Sequence, residues 1–141
     1  MWIIRRYHPI DKNRLILCLS GLRPDLPKDT NILNNLDRLI RERESIGIHT
    51  LVFEENEDVV GTASYFIEPK VWGNVCHVED VAVIPSCRGK GVGRKLLSYI
   101  NNIAKNLGCY KVILNCSVDN IVFYEKCGFK RNEVEMRYDI P

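Results

Sequence analysis

Residues 77–97 constrain this chain more than any other stretch. Val78, Val81, Val83 and Ile84 form a β-prone run, Pro85 ends it, and glycines at 89, 91 and 93 open a segment that carries Leu96 and Leu97 at helical spacing. The stretch predicts strand, turn, helix. Glycine at alternate positions lets successive backbone N–H groups turn into one concavity, and the positive end of the helix dipole adds to the field there. Such a corner takes an anion, most simply a pyrophosphate.

Two common phosphate patterns are absent. Gly91 is followed by Val92 and Gly93 rather than by Lys and a hydroxyl residue, which rules out G-x-x-x-x-G-K-[ST], and Arg94 stands where G-x-G-x-x-G needs its last glycine. What remains is Arg88-Gly89-Lys90-Gly91-Val92-Gly93, directly after a strand whose outer end carries Glu79 and Asp80. The chain has 141 residues, 45% of them hydrophobic, enough for one good core, so residues 1–141 read as a single domain. Twenty basic against eighteen acidic residues leave a formal charge of +2, and no whole-surface field points to nucleic acid or a membrane. Six cysteines stand without a C-x-x-C pair and without a histidine at zinc spacing, so no metal site is expected. With no signal-peptide core at Met1–Arg6 and no apolar run long enough to span a bilayer, a reduced, cytoplasmic protein is expected.

Residues 2–7 predict a first strand. Asp11 then caps a helix with Leu15, Ile16, Leu19 and Leu22 on one face, before Pro24 and Pro27 break the chain. A second helix starts at Asp29 or Thr30, carries Ile32, Leu33, Leu36, Leu39 and Ile40 as its apolar stripe, and ends at Gly47. Arg38, Arg41, Glu42, Arg43 and Glu44 read as its solvated face. Residues 49–53 and 59–67 form a hairpin across the polar turn 54–58, residues 69–73 interrupt, and a central strand covers about 75–84. After the glycine helix come a strand over 110–116, a short helix over 121–127 capped by Asn120, and a last strand over 129–139. The expected order is β-α-α-β-β-β-α-β-α-β. This is an α/β fold, a mixed, mainly antiparallel central sheet flanked by helices on both faces.

The element order and the Arg88–Gly93 run resemble the Gcn5-related N-acetyltransferase superfamily, in which such a loop holds the pyrophosphate of acetyl-CoA. Gly108-Cys109-Tyr110-Lys111-Val112-Ile113-Leu114-Asn115-Cys116 and Asn120-Ile121-Val122-Phe123-Tyr124-Glu125-Lys126-Cys127-Gly128-Phe129, with His77-Val78-Glu79-Asp80-Val81-Ala82-Val83, resemble eukaryotic glucosamine-6-phosphate N-acetyltransferases more closely. That similarity runs over about 68–137, with Ile4-Arg5-Arg6 also fitting; residues 11–50 match only in helical pattern. The resemblance implies transfer of an acetyl group from acetyl-CoA to the 2-amino group of D-glucosamine 6-phosphate, toward UDP-N-acetylglucosamine, by a homodimer. It implies that acetyl-CoA meets the main chain at Val81, Ala82 and Val83, the loop residues Arg88, Gly89, Lys90, Gly91, Val92, Gly93 and Arg94, and the side chains of Asn120, Phe123, Tyr124 and Lys126. It implies sugar contacts from Glu79, Asp80 and Val81, and makes Lys70, Tyr110 and Lys111 candidates for the phosphate. In the family an arginine of the last strand reaches the neighbouring subunit's sugar phosphate; this chain has Asp139 there, and Arg137, two residues earlier on the same face, is expected to take its place.

The chemistry sets its own demands. An amine attacking a thioester must be neutral, the carbonyl oxygen needs a donor as charge gathers on it, and the departing thiolate needs stabilising. A main-chain N–H at the Val81–Val83 edge, where the strand would part from its neighbour, suits the oxygen, and the Tyr124 phenol suits the thiolate. Glu79 and Asp80 are adjacent on a strand and are expected to point to opposite faces, leaving at most one aimed at the sugar. Asn115, where the family often carries an acid, can orient the amine but cannot take its proton. Tyr124, Glu79, Asp80 and Asn115 are the candidate catalytic residues, and His77 reads as structural. Two alternatives stand beside this reading. Acetylation of a polyamine would want a cluster of carboxylates, whereas Lys70, Lys111 and Arg137 suit a phosphate. A non-catalytic acetyl-CoA-binding module would have no use for Tyr124, Glu79 and Asp80 together.

Overall fold

The strands pair largely in the order the chain makes them. In the computed structural model, which describes residues 1–141, β1 (Trp2–Arg6), β2 (His49–Glu55), β3 (Asp58–Lys70) and β4 (Gly73–Val83) are antiparallel in succession. β5 (Cys109–Ile113) adds to β4 in parallel, giving the order β1-β2-β3-β4-β5. α1 (Lys12–Leu19) and α2 (Thr30–Ser45) lie between β1 and β2, α3 (Val92–Asn106) between β4 and β5, and α4 (Ile121–Lys126) follows β5. A parallel partner needs a crossover, and α3 supplies it. This is the expected mixed sheet with its flanking helices, and one continuous cluster of buried residues joins them, with Phe53, Leu15, Leu96, Leu97 and Ile100 at its centre.

Several boundaries differ from the sequence expectation for local reasons. β2 and β3 run on to a two-residue turn, because Asn56 and Glu57 both take positive φ, 50° and 70°, the geometry that matches strand twist in a tight hairpin. β3 continues through Pro69, since β2 pairs only as far as Tyr65 and the missing proline N–H lies where β3 has an open side. Asp11 does not cap α1 with its side chain. Its carboxylate instead accepts from both terminal nitrogens of Arg5, at 2.8 and 2.9 Å, and from the His8 N–H at 2.8 Å. α1 stops at Leu19, and Leu22 is exposed beyond it. Asp29 does cap α2, accepting from the Ile32 N–H at 3.1 Å. Asn120 stands at the start of α4 but makes no capping bond.

The last strand expected over 129–139 does not form. Beyond Phe129 the main chain makes no hydrogen bond to any strand, and an extended segment without a ladder partner has nothing to hold it. Its alternating apolar residues remain outside: Val134, Met136, Tyr138 and Ile140 are 82, 89, 83 and 84% exposed.

The packing of α3 on the sheet places the glycine loop. An ideal Cβ on Gly61 of β3 would lie 2.6 Å from Val92 Cγ1 and 3.4 Å from Leu96 Cδ1, so the first turn of α3 rests where β3 has no side chain. Lys95, on the same turn, lies 4.8 Å above the Trp2 ring, which stacks on Phe53 at 5.2 Å.

Candidate active site

β4 and β5 part company halfway along β4. Their register ends at His77 opposite Ile113, leaving Val78–Val83 without a neighbour on that side. The Ile84 N–H donates to the Val60 carbonyl of β3 at 2.9 Å, so the N–H and C=O of Val83 turn the other way, into the opening. There the Arg88 Nε donates to the Val83 carbonyl at 3.2 Å, and the Val83 N–H faces the cleft. The edge expected at Val81–Val83 is therefore present.

At the mouth of the cleft β4 carries a bulge. Thr62 stands opposite Ala82 but Ser64 opposite Glu79, one extra residue on β4, and Asp80 takes a φ of +52° to absorb it. The bulge cancels the alternation that was expected to send Glu79 and Asp80 to opposite faces. Both carboxylates are exposed, and both feel Arg43 of α2, whose Nη1 lies 3.9 Å from Asp80 Oδ2. The Glu79 carboxyl is pushed above its usual range, first by loss of water on its inner side and then by the charge of Asp80. Arg43 is not the solvated face residue the sequence suggested. A basic residue late in an amphipathic helix carries no local sign that the helix end will meet a bulge two strands away.

The glycine loop matches its expected geometry. Gly89 and Gly91 have φ of +77° and +86°, and a Cβ on either would meet no atom within 4 Å, so the space above them is open. None of the six successive N–H groups from Gly89 to Arg94 donates to a group of the protein. The three loop cations differ. Lys90 is exposed, Arg88 is turned to Val83, and Arg94 is committed to α4, donating to the Lys126 carbonyl at 2.5 Å.

α4 forms the facing wall. Gly93 lies under Phe123, whose Cζ would be 2.9 Å from a Cβ there, and this contact with the Arg94 bond seats α4 against the start of α3. Tyr124 is wedged edge-on between Phe123 and Phe129, with Cys116 and Cys127 nearby. Burial first, and then those two sulfurs, push its phenol up to about 12. No protein group bonds its oxygen. Asn115 is exposed in the segment after β5, on the β5 side of the opening from Glu79.

The proposed phosphate residues are not gathered there. Lys70 pairs opposite Gly73, and Lys111 opposite Val75, at the far end of β4. At about 3.3 Å per residue, these positions lie roughly 20 to 30 Å from the Val81–Val83 edge of the same chain. Lys70, Trp72, Tyr110 and Lys111 form an exposed cluster instead, with the Trp72 Nε1 donating to the Tyr110 hydroxyl at 2.8 Å. The Arg137 Nε donates to Asp139 at 2.6 Å, and both side chains are exposed.

Residues 14–129 match the model of the acetyltransferase (GNAT) family. The chain belongs to the GNAT acetyltransferase family. Among GNAT relatives, it is 41% identical over 140 residues to glucosamine 6-phosphate N-acetyltransferase of Arabidopsis thaliana, covering 94% of this chain and 93% of that protein. It is 44% identical over 103 residues to the enzyme of the same name from Trypanosoma brucei brucei, 70% of each chain. The crystal structure of the Arabidopsis enzyme superposes with a TM-score of 0.86 at 34% identity, covering 100% of this chain and 99% of that one. The acetyltransferase fold expected from the glycine loop and element order is thus the observed one.

Proposed function

We propose that this single N-acetyltransferase domain transfers the acetyl group of acetyl-CoA to the 2-amino group of D-glucosamine 6-phosphate, a cytoplasmic step toward UDP-N-acetylglucosamine. One observation carries the chemistry: β4 leaves β5 at His77, and the opening is bordered by the unpaired loop N–H groups, the Glu79–Asp80 bulge and the free Tyr124 phenol. The names of the relatives at 41–44% identity carry the acceptor. The loop leaves room for the pyrophosphate of acetyl-CoA, since the space above Gly89 and Gly91 is clear and the N–H groups of Gly89–Arg94 are free to meet it. Acetyl-CoA supplies the thioester. Lys90 adds charge beside the loop, while Arg88 and Arg94 act by holding Val83 and α4 in place. Ala82, Asn120, Phe123 and Lys126 line the path of the pantetheine arm.

Each side chain then has a task. Glu79, with its raised proton affinity, takes a proton from the acceptor ammonium, and Asp80 with Asn115 orients the sugar. The Val83 N–H donates to the carbonyl oxygen as charge develops on it, and Tyr124 donates to the departing sulfur. The phosphate is held across a homodimer. The cluster of Lys70, Tyr110 and Lys111 lies too far from the cleft of its own chain, so a second copy brings it there, with Arg137 of the C-terminal segment beside it. The alternating face of residues 134–140 supports the same arrangement, because it is an unpaired strand pattern with no partner in its own chain.

Thiol release from acetyl-CoA with glucosamine 6-phosphate, glucosamine and a polyamine as acceptors tests this reading. Release should be fastest with the phosphorylated sugar. Equal rates with the polyamine would overturn the acceptor assignment. Arg137→Ala should raise KM for glucosamine 6-phosphate about tenfold, the loss of one charge-assisted contact, and leave KM for acetyl-CoA and for glucosamine unchanged.

A further inference from the structure

A second polar array lies on the sheet face that carries Glu79. In the β3–β4 register Ser64 stands opposite Glu79, Phe66 opposite His77 and Glu68 opposite Val75, so Phe66, Glu68, His77 and Glu79 share one face. The His77 imidazole lies flat on the Phe66 ring, centroids 4.4 Å apart and planes 6° from parallel. Its Nε2 is 2.8 Å from Glu68 Oε1, and Glu68 Oε2 is 3.2 Å from Lys70 Nζ. The bonds from His77 and Lys70 hold the Glu68 carboxyl below its usual range, so it is ionised and accepts, and Nε2 carries the hydrogen. Nδ1 is then the lone-pair nitrogen of the neutral ring. The only side-chain bond His77 makes in the chain is to Glu68.

Packing alone would not require a histidine here. A ring stacked on Phe66 could be any aromatic, but a carboxylate bonded to one nitrogen fixes both the tautomer and the orientation of an imidazole. Glu79 begins two residues further along the same face, roughly 7 Å away. A relay needs a group beside Glu79 that can take its proton. The charged neighbours of Glu79 are Asp80 and His77 on its own strand, Arg43 from α2 and Glu135 from the C-terminal segment. Asp80 is paired with Arg43, a guanidinium accepts no proton, and Glu135 adds only repulsion.

The geometry points to His77 as a positioning residue that relays the acceptor's proton. The ammonium gives its proton to the Glu79 carboxylate, leaving a neutral amine. The resulting carboxylic acid gives it to His77 Nδ1, directly or through one water, and regenerates the carboxylate. The imidazolium, held by Glu68, releases it to solvent, and the nitrogen's second proton leaves later with the thiol through Tyr124. This rests on the assignment of Glu79 as the acceptor's base.

His77→Gln tests the relay, because its amide nitrogen can still donate to Glu68 but the side chain cannot take a proton. Turnover should fall about tenfold with KM for acetyl-CoA unchanged, and the acid limb of the pH profile should lose the contribution of an imidazole that must be unprotonated to accept. In His77→Ala, added imidazole should restore turnover in proportion to its unprotonated fraction. Wild-type turnover and pH profile in His77→Gln would overturn the relay, as would loss in His77→Ala that imidazole does not restore while acetyl-CoA affinity stays intact. Glu79→Gln separates the two levels. Full activity there removes the base assignment, whereas its loss beside an unaffected His77→Gln removes the relay alone.

Discussion

Tyr124 is half-buried between two phenylalanines, and its hydroxyl bonds nothing in the chain, which is unusual for a tyrosine whose ring is this enclosed. A phenol pushed up to about 12 keeps its proton throughout the neutral range and is ready to donate to a thiolate. Tyr124→Phe keeps the ring contacts and should lower turnover by about a hundredfold with both KM values little changed. Unaltered turnover would make Tyr124 a packing residue. Asp11 shows the opposite balance. Burial pushes its carboxyl up, but the bonds from the Arg5 guanidinium and the His8 N–H together outweigh that and leave it below the usual range. A depressed carboxyl stabilises the fold above its unfolded value, about 3.9, and that contribution disappears as pH falls through the folded value. Asp11→Asn should therefore cost about 3 kcal/mol at pH 7, near the lower end for a broken buried pair because Glu54 still neutralises Arg5 at 2.9 Å. Denaturant melts should show the difference between variant and wild type narrowing below about pH 4. A constant difference would mean that the pair contributes packing rather than charge.

At the scale of elements, the cleft depends on how closely α3 sits on β3. Val92 Cγ1 fills the place of a side chain at Gly61, and Val92 is also the first residue of the helix that the glycine loop opens. A methyl there has to displace a β-branched side chain with one preferred rotamer. Gly61→Ala should lower stability by about 1–3 kcal/mol, the usual range for overpacking, and should weaken acetyl-CoA binding as the first turn of α3 shifts. Calorimetry reads both; a stability loss with unchanged affinity would show that the loop moves independently of the sheet. α4 is coupled in the same way, since Gly93 and Arg94 of α3 meet Phe123 and the Lys126 carbonyl. The first two turns of α3 thus position the loop on one side and Tyr124 on the other.

For the whole molecule, the segment after Phe129 is where the proposed dimer is tested. Four alternating apolar residues are more than four-fifths exposed, and Lys70 and Lys111 lie far from the cleft of their own chain. Deleting residues 130–141 should convert a dimer to a monomer by light scattering and raise KM for glucosamine 6-phosphate more than for glucosamine. A wild-type protein that is monomeric at assay concentration would refute the shared site.

The glycine loop, the strand and helix order up to α4, and the apolar faces were legible in the sequence because each depends on neighbours within a turn or two: Gly91 is glycine because its φ is +86°, and Leu96, Leu97 and Ile100 recur at helical spacing because one face is buried. Relations across the sheet were not legible. The bulge at Asp80 arises from the count of residues between two pairings with β3, and it alone brings both carboxylates of the edge toward Arg43. The distance of Lys70 and Lys111 from the cleft follows from the register of β4 with its neighbours. Residues 129–139 alternate as a strand should because alternation is a local pattern; whether it becomes a strand depends on a ladder partner, which the fold of one chain does not provide.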